Sequence, residues 1–216
     1  MVAVVTCKPP RDRRRQASEA RRLAILEAGL DIFISEGFAA ARLDDIATRA
    51  GVAKGTIYLF FADKQELFEQ VVLGALGPVL ASLSNVADHS DAPFATVLAR
   101  LFEVCQHEML STRRREIPRL VLTEAPRFPK IAEFYHREVV SKGLELVRRI
   151  SQRAHERGEL ASDALVRFPH LLFGPVLVGI LWEGMFARFE PLDVAGLLNA
   201  HRELLLAPGP ARGSSP

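Results

Sequence analysis

DDIATRAGVAKGTIYLFFADK, residues 44–64, is the stretch whose spacing decides the fold. Ile46, Ala47 and Ala50 recur at helical spacing, Gly51 stops that helix, and Ile57 and Phe61 resume the spacing a few residues later. A glycine just past a helix end takes the left-handed conformation that closes it, and Val52 is placed to plug the angle between two crossing helices. The pattern predicts a helix-turn-helix. With Ile57 and Phe61 turned inward, Lys54, Gly55, Thr56, Tyr58 and Leu59 fall on the outer face of the second helix or at its N-terminal end. A cation, a bare backbone, a small hydroxyl, a phenol and an aliphatic suit the major groove of DNA. There lysine and tyrosine reach phosphates, while small or apolar groups approach base edges and thymine methyls. Two short helices joined at a glycine are also ordinary all-α packing, and the continuation tells the two apart. Asp63 and Glu66 make a helix start, and Lys64 lies in the first turn of that helix, where a backbone phosphate can meet both an ammonium and free amides.

The run IATRAGVAKGTIYLFFADKQELF, residues 46–68, resembles the DNA-binding domain of the TetR family of bacterial transcriptional regulators. Ile46, Ala47, Gly51, Val52, Lys54, Gly55, Thr56, Ile57, Tyr58, Phe61 and Lys64 meet the family's pattern, over about the first third of the chain. Three positions depart from it. Arg42 stands where the family often has a capping Thr or Ser, so that helix is expected to begin from Asp44 or Asp45. Ala53 replaces a frequent Ser or Thr cap, and Phe60 replaces a frequent Tyr or His. The resemblance implies DNA contacts at Arg42, Lys54, Gly55, Thr56, Tyr58, Leu59 and Lys64.

Working outward, 216 residues at 49% hydrophobic content bury a full core, as one large or two small domains. A net charge of +2 argues against indiscriminate nucleic-acid binding by the whole molecule. The charge is unevenly placed: Lys8, Arg11, Arg13, Arg14, Arg15, Arg21 and Arg22 face only Asp12 and Glu19. A solvated tail and an arm that tracks phosphates both fit this run, and a neighbouring helix-turn-helix favours the arm. Cys7 and Cys105 form no metal or redox motif, and MVAVVTCKPP is too soon interrupted to be a signal peptide, so a cytoplasmic location is expected. The apolar segment Leu171 to Trp182 falls short of the roughly 18 residues of a membrane span.

Residues 1–17 show no hydrophobic period and are read as an irregular basic arm, with a DNA-binding domain next to it over 18–66. Its first helix is expected from Ser18 to Gly37, with Phe38 folding back on the helix end. A further helix starts at Asp63 and is expected to kink or stop at Gly77-Pro78, where a hinge and a plain helix end fit equally. Ser82 to Pro93 reads as a polar turn. Further helices are expected from Phe94 to Met109, Ile117 to Ala125, Ile131 to Gly158, Asp163 to Phe186 and Asp193 to Leu206. Residues 67–207 form the second domain, and the tail 208–216 is read as disordered. No strand-period segment occurs, so the expected fold is all-α: a three-helix helix-turn-helix domain plus a helical ligand-binding and dimerisation domain.

Apolar residues surround most of the axis over 163–186, which marks a central core or interface helix. The resemblance implies that the last two helices pair with their twins in a homodimer, and a small reading head gains affinity from two half-sites. It also implies a ligand cavity in the second domain. Phe102, Cys105, Met109, Leu122, Phe128, Phe134 and Trp182 are its candidate lining, although such a set is as readily packed core. Arg119, Glu124, His107 and Glu183 are candidate polar anchors. Glu103 and His107 share a helix face without a third ligand, so no metal or cofactor is expected. The segment Arg119 to Pro129 resembles C-terminal domains of TetR-family regulators associated with efflux or stress genes. The implied function is a transcriptional repressor released from its double-stranded DNA operator by a small-molecule inducer. An activator with the same head, and a small all-α enzyme or lipid-binding module with a structural helix-turn-helix, are the alternatives.

Overall fold

Apolar side chains three and four residues apart must share one side of a helix, and burying those sides builds the molecule. A computed structural model describes residues 10–88 and 91–207, with side chains from Arg13 onward. The described residues contain eleven α-helices and no strand: α1 (Pro10–Ala40), α2 (Leu43–Arg49), α3 (Lys54–Ile57), α4 (Lys64–Asp88), α5 (Phe94–Val104), α6 (Glu116–Glu124), α7 (Pro129–Tyr135), α8 (Ser141–Glu156), α9 (Ala164–Arg167), α10 (His170–Met185) and α11 (Val194–Leu206). Two π-helical segments, Cys105–Leu110 and His136–Val140, continue α5 and join α7 to α8. The chain divides into two compact units at Gly74 and Ala75. That boundary lies inside α4, beyond the division between residues 66 and 67 that the sequence pattern suggests.

The first unit keeps closely to its sequence pattern. Gly51 has φ +66°, its N–H donates to Thr48 O (3.2 Å), and the Val52 N–H donates to Ala47 O (3.0 Å), so the last carbonyls of α2 are satisfied by the turn. Ile46 and Ile57 are fully buried on either side of that turn, with Phe61. Phe38 does fold back. Its ring stacks on Phe33 (5.9 Å) and meets Phe68 edge-on (5.3 Å), and Phe33 and Phe68 are also edge-on (5.2 Å). The Glu66 N–H donates to Asp63 Oδ1 (2.8 Å) while the Glu66 carboxylate accepts from the Ala62 N–H (2.6 Å), which starts α4 as expected. α2 begins at Leu43, ahead of Asp44 and Asp45, with no side-chain cap from Arg42.

Three expectations need correcting. Residues 10–17 are helical: Pro10 suits a helix start and the arginines after it are good helix formers. Residues 1–9 and 208–216 lie outside the described residues. α4 neither breaks at Gly77-Pro78 nor ends at Ser82, because Leu76, Val79, Leu83 and Ala87 keep an apolar side buried past the proline. That burial outweighs the lost bond to the Gly74 carbonyl. Conversely, the helix expected from Asp163 to Phe186 is broken at Phe168 (φ −126°, ψ 69°), the residue that Pro169 excludes from helical conformation.

The second unit packs Val79, Leu83, Phe94, Leu98, Leu101 and Phe102 against Leu146, Val147, Ile150, Leu172, Ile180 and Leu198. α4 is long and apolar enough to span a membrane by composition, but its apolar side carries core residues of both units. Replacing Gly51 by Ala should lower the stability of the first unit by about 1–2 kcal/mol, the cost of a Cβ in the left-handed region. Urea unfolding monitored by circular dichroism measures it.

Candidate functional site

α3 is a single turn, and its surroundings are exposed. Tyr58 is 52% and Leu59 81% exposed, although neighbouring Ile57 and Phe61 are buried. Apolar and aromatic groups so open to solvent beside a packed turn form a surface made to be covered. Gly55 has open space where a Cβ would stand, so backbone can approach a ligand closely there. Thr56 is half-buried and Arg42 exposed. The Lys54 ammonium meets both carboxylate oxygens of Asp44 (2.8 and 2.9 Å). That hydrogen bond, and then the charge behind it, holds the Lys54 ammonium above the ordinary lysine range. Lys54 is therefore a surface cation kept charged and aimed across the α2–α3 angle.

Lys64 has an occupation that its sequence position does not reveal. Its ammonium donates to three backbone carbonyls, Phe38 O (2.8 Å), Ala39 O (3.1 Å) and Ala41 O (2.9 Å), and lies 4.8 Å from the Phe38 ring centroid. An ammonium has three hydrogens, and all three have acceptors here. Rather than standing free for a phosphate, Lys64 ties the end of α1 to the start of α4. Arg49 with Asp31 (2.6 Å) and Arg22 with Gln70 (3.0 Å) add ties from α1 to α2 and to α4.

The second unit holds a cavity of about 480 Å³. Of the expected lining, Cys105, Met109 and Leu122 are there. Phe102 and Phe134 are instead packed core, 6% and 3% exposed. Phe128 caps α7, and the Trp182 indole N–H donates to Glu190 O (2.7 Å), both away from the cavity. Sequence reasoning missed the wall from α4 (Leu76, Leu80), the Tyr135, Val139 and Val140 side, and Phe173 and Leu177 of α10. The signal for α4 was present, since its apolar period runs through Pro78. None of Arg119, Glu124, His107 and Glu183 lines this cavity; Arg119 pairs with Glu116 (2.8 Å). Among the described residues no three His, Cys, Asp or Glu side chains converge on a metal position. Burial pushes the Cys105 thiol up to about 12, and Glu108 adds to the shift.

The Lys64 anchorage and the Cys105 burial are each open to measurement. Lys64→Met should destabilise the first unit by about 2 kcal/mol, since it strips three carbonyls of a charged donor, while the salt dependence of DNA binding stays as in the parent. A slope lower by about one charge would place Lys64 on a phosphate instead. In a Cys7→Ser background, native Cys105 should resist iodoacetamide at neutral pH and react fully once unfolded, because only the thiolate attacks.

Residues 25–71 match the family of bacterial regulatory proteins of the tetR type, and residues 80–195 match the tetracyclin repressor-like C-terminal domain. An HTH-type transcriptional repressor of Mycobacterium tuberculosis is 31% identical over 182 residues, 80% of this chain and 85% of that protein. The HTH-type transcriptional regulator SrpR of Pseudomonas putida is 24% identical over 84% of each chain. Two solved structures share the fold. The fatty acid degradation regulator FadR of Bacillus halodurans has a TM-score of 0.70 at 21% identity, over 96% of this chain and 99% of that one. FadR of Bacillus subtilis, solved in complex with stearoyl-CoA, has a TM-score of 0.68 at 19% identity, over 86% and 97%. The helix-turn-helix and the matches along both units agree: the chain belongs to the TetR family of DNA-binding transcriptional regulators.

Proposed function

We propose that the chain is a homodimeric repressor that leaves its operator when a small molecule fills the second unit's cavity. The observation that carries this reading is the presence, in one chain, of an exposed reading face and a separate apolar cavity. On the face, Tyr58 and Lys54 reach phosphates, Lys54 exchanging Asp44 for the DNA backbone, and Thr56 and Leu59 approach base edges across Gly55. Arg42 adds a backbone contact. Lys64 holds the frame from which these groups project.

Support for the dimer comes from α10. Leu171 (48% exposed), Val178 (48%) and Met185 (54%) repeat every seven residues along one side, and Leu204 of α11 is 76% exposed. A stripe of that kind suits a second copy of the same helices, as in left-handed helix packing. The same helix lines the cavity through Phe173 and Leu177. A ligand that shifts α10 thereby alters the interface, and with it the spacing of the two heads. The stearoyl-CoA complex of Bacillus subtilis FadR supports a small-molecule effector for this fold, and the Mycobacterium tuberculosis relative is named a repressor. Such a protein works in the cytoplasm, where the DNA is.

Fluorescence-anisotropy titration of duplexes from upstream of the chain's own gene tests the reading. Tyr58→Ala should weaken specific binding by about 1–3 kcal/mol with the fold intact by circular dichroism. Val178→Glu should sediment as a monomer and lose roughly a hundredfold in operator affinity, because one head no longer recruits the other. Specific binding by neither parent nor variant to any genomic fragment, together with turnover of a small molecule, would favour an enzyme.

A further inference from the structure

The chemistry of the cavity narrows what can enter it. Leucines, valines, Met109 and Phe173 make up most of its surface, and among the described residues no Asp, Glu, Lys or Arg lines it. An ionic group taken inside would lose its water and gain no counter-charge, which strongly disfavours it. The volume of about 480 Å³ falls within the range for compact organic ligands.

Three lining groups carry a polar atom in a side chain. His170 is exposed, at the start of α10. The Cys105 thiol is only a weak donor. Tyr135 differs from both. It ends α7 where the π-helical segment His136–Val140 begins, and its surroundings desolvate the phenol enough to hold its ionisation well above the ordinary tyrosine range. Tyr135 lines the cavity, and no hydrogen bond ties its hydroxyl to another described residue, so this donor is open to a ligand. The opposite π-helical segment brings Cys105 and Met109 to the same cavity, while His136–Val140 brings Val139 and Val140. Both departures from regular α-helix thus line one space, and π-turns recur at functional sites.

We infer that the ligand of this cavity is a neutral, mostly hydrocarbon molecule whose single hydroxyl or carbonyl oxygen accepts a hydrogen bond from Tyr135. This rests on the proposed effector role and specifies the effector's class: uncharged, and neither a fatty acid anion nor its CoA ester.

The test uses the full chain with N-phenyl-naphthylamine as a fluorescent cavity probe and a labelled operator duplex in the same solution. Decanol, decanoate and decanoyl-CoA compete at a pH where decanoate is ionised. Decanol should displace the probe at concentrations at least about tenfold below those of either anion. In Tyr135→Phe its affinity should fall by roughly three- to tenfold, the worth of one hydrogen bond. A circular dichroism spectrum and urea midpoint like the parent's certify that the variant is folded, and decanol affinity is then read against the probe affinity measured for each protein. Equal displacement by decanoate or decanoyl-CoA, unchanged decanol affinity in Tyr135→Phe, or no probe binding at all would overturn the inference. Operator release is read separately. If the anions release DNA and the alcohol does not, the effector role stands and the neutral class falls. If decanol displaces the probe but no compound alters operator binding, the neutral class stands and the effector role falls.

Discussion

Burial along one side of α4 is the constraint on which the rest of the structure depends. Leu67, Phe68, Val71 and Val72 are core residues of the first unit, and Val79, Leu83 and Ala87 are core residues of the second. The side continues without interruption across Pro78, a residue that alone costs a helix interior about 3 kcal/mol. A helix retained against that cost is retained by packing. Leu76 and Leu80, on the same helix, also line the cavity, so the element that completes the reading head's core is an element that a bound ligand would touch.

The first unit is stiffened where its function needs stiffness. α3 is only a turn long and has little stability of its own. It is held by Ile57 and Phe61 beneath it, by the closing turn at Gly51 before it, and by the start of α4 after it. Lys64 then binds that start to the end of α1 through three carbonyls and the Phe38 ring. The second unit is built differently: both of its π-helical segments contribute residues to the wall of a cavity. A rigid reader and a roomier receiver are what a ligand-controlled DNA-binding protein requires.

Much of the first unit is legible in its residues alone. The inward set of Ile46, Ile57 and Phe61 comes from helical spacing around one glycine, and the outward set of Lys54, Tyr58 and Leu59 comes by subtraction. These are local relations, within one or two turns, and local relations survive folding. The cavity is less legible. Phe134 and Tyr135 are adjacent and both aromatic, and spacing alone does not say that Phe134 packs in the core while Tyr135 faces the space. Each π-turn takes in an extra residue and so rotates the residues beyond it by about 100°, which defeats a count based on 3.6 residues. Lys64 escapes a reading by spacing for another reason. Its acceptors lie more than twenty residues earlier in the chain, in a turn whose carbonyls no residue type announces.

In the proposed dimer two α3 surfaces read DNA together. This paired reading is tested most directly by selecting fragments of the genome of origin on the purified chain and on Tyr58→Ala in parallel. A small set of enriched fragments sharing an inverted repeat, with half-sites about one helical turn apart, is expected from the parent, with the variant recovering them at least about fivefold less. No enrichment, or the same enrichment with the variant, would contradict the paired reading.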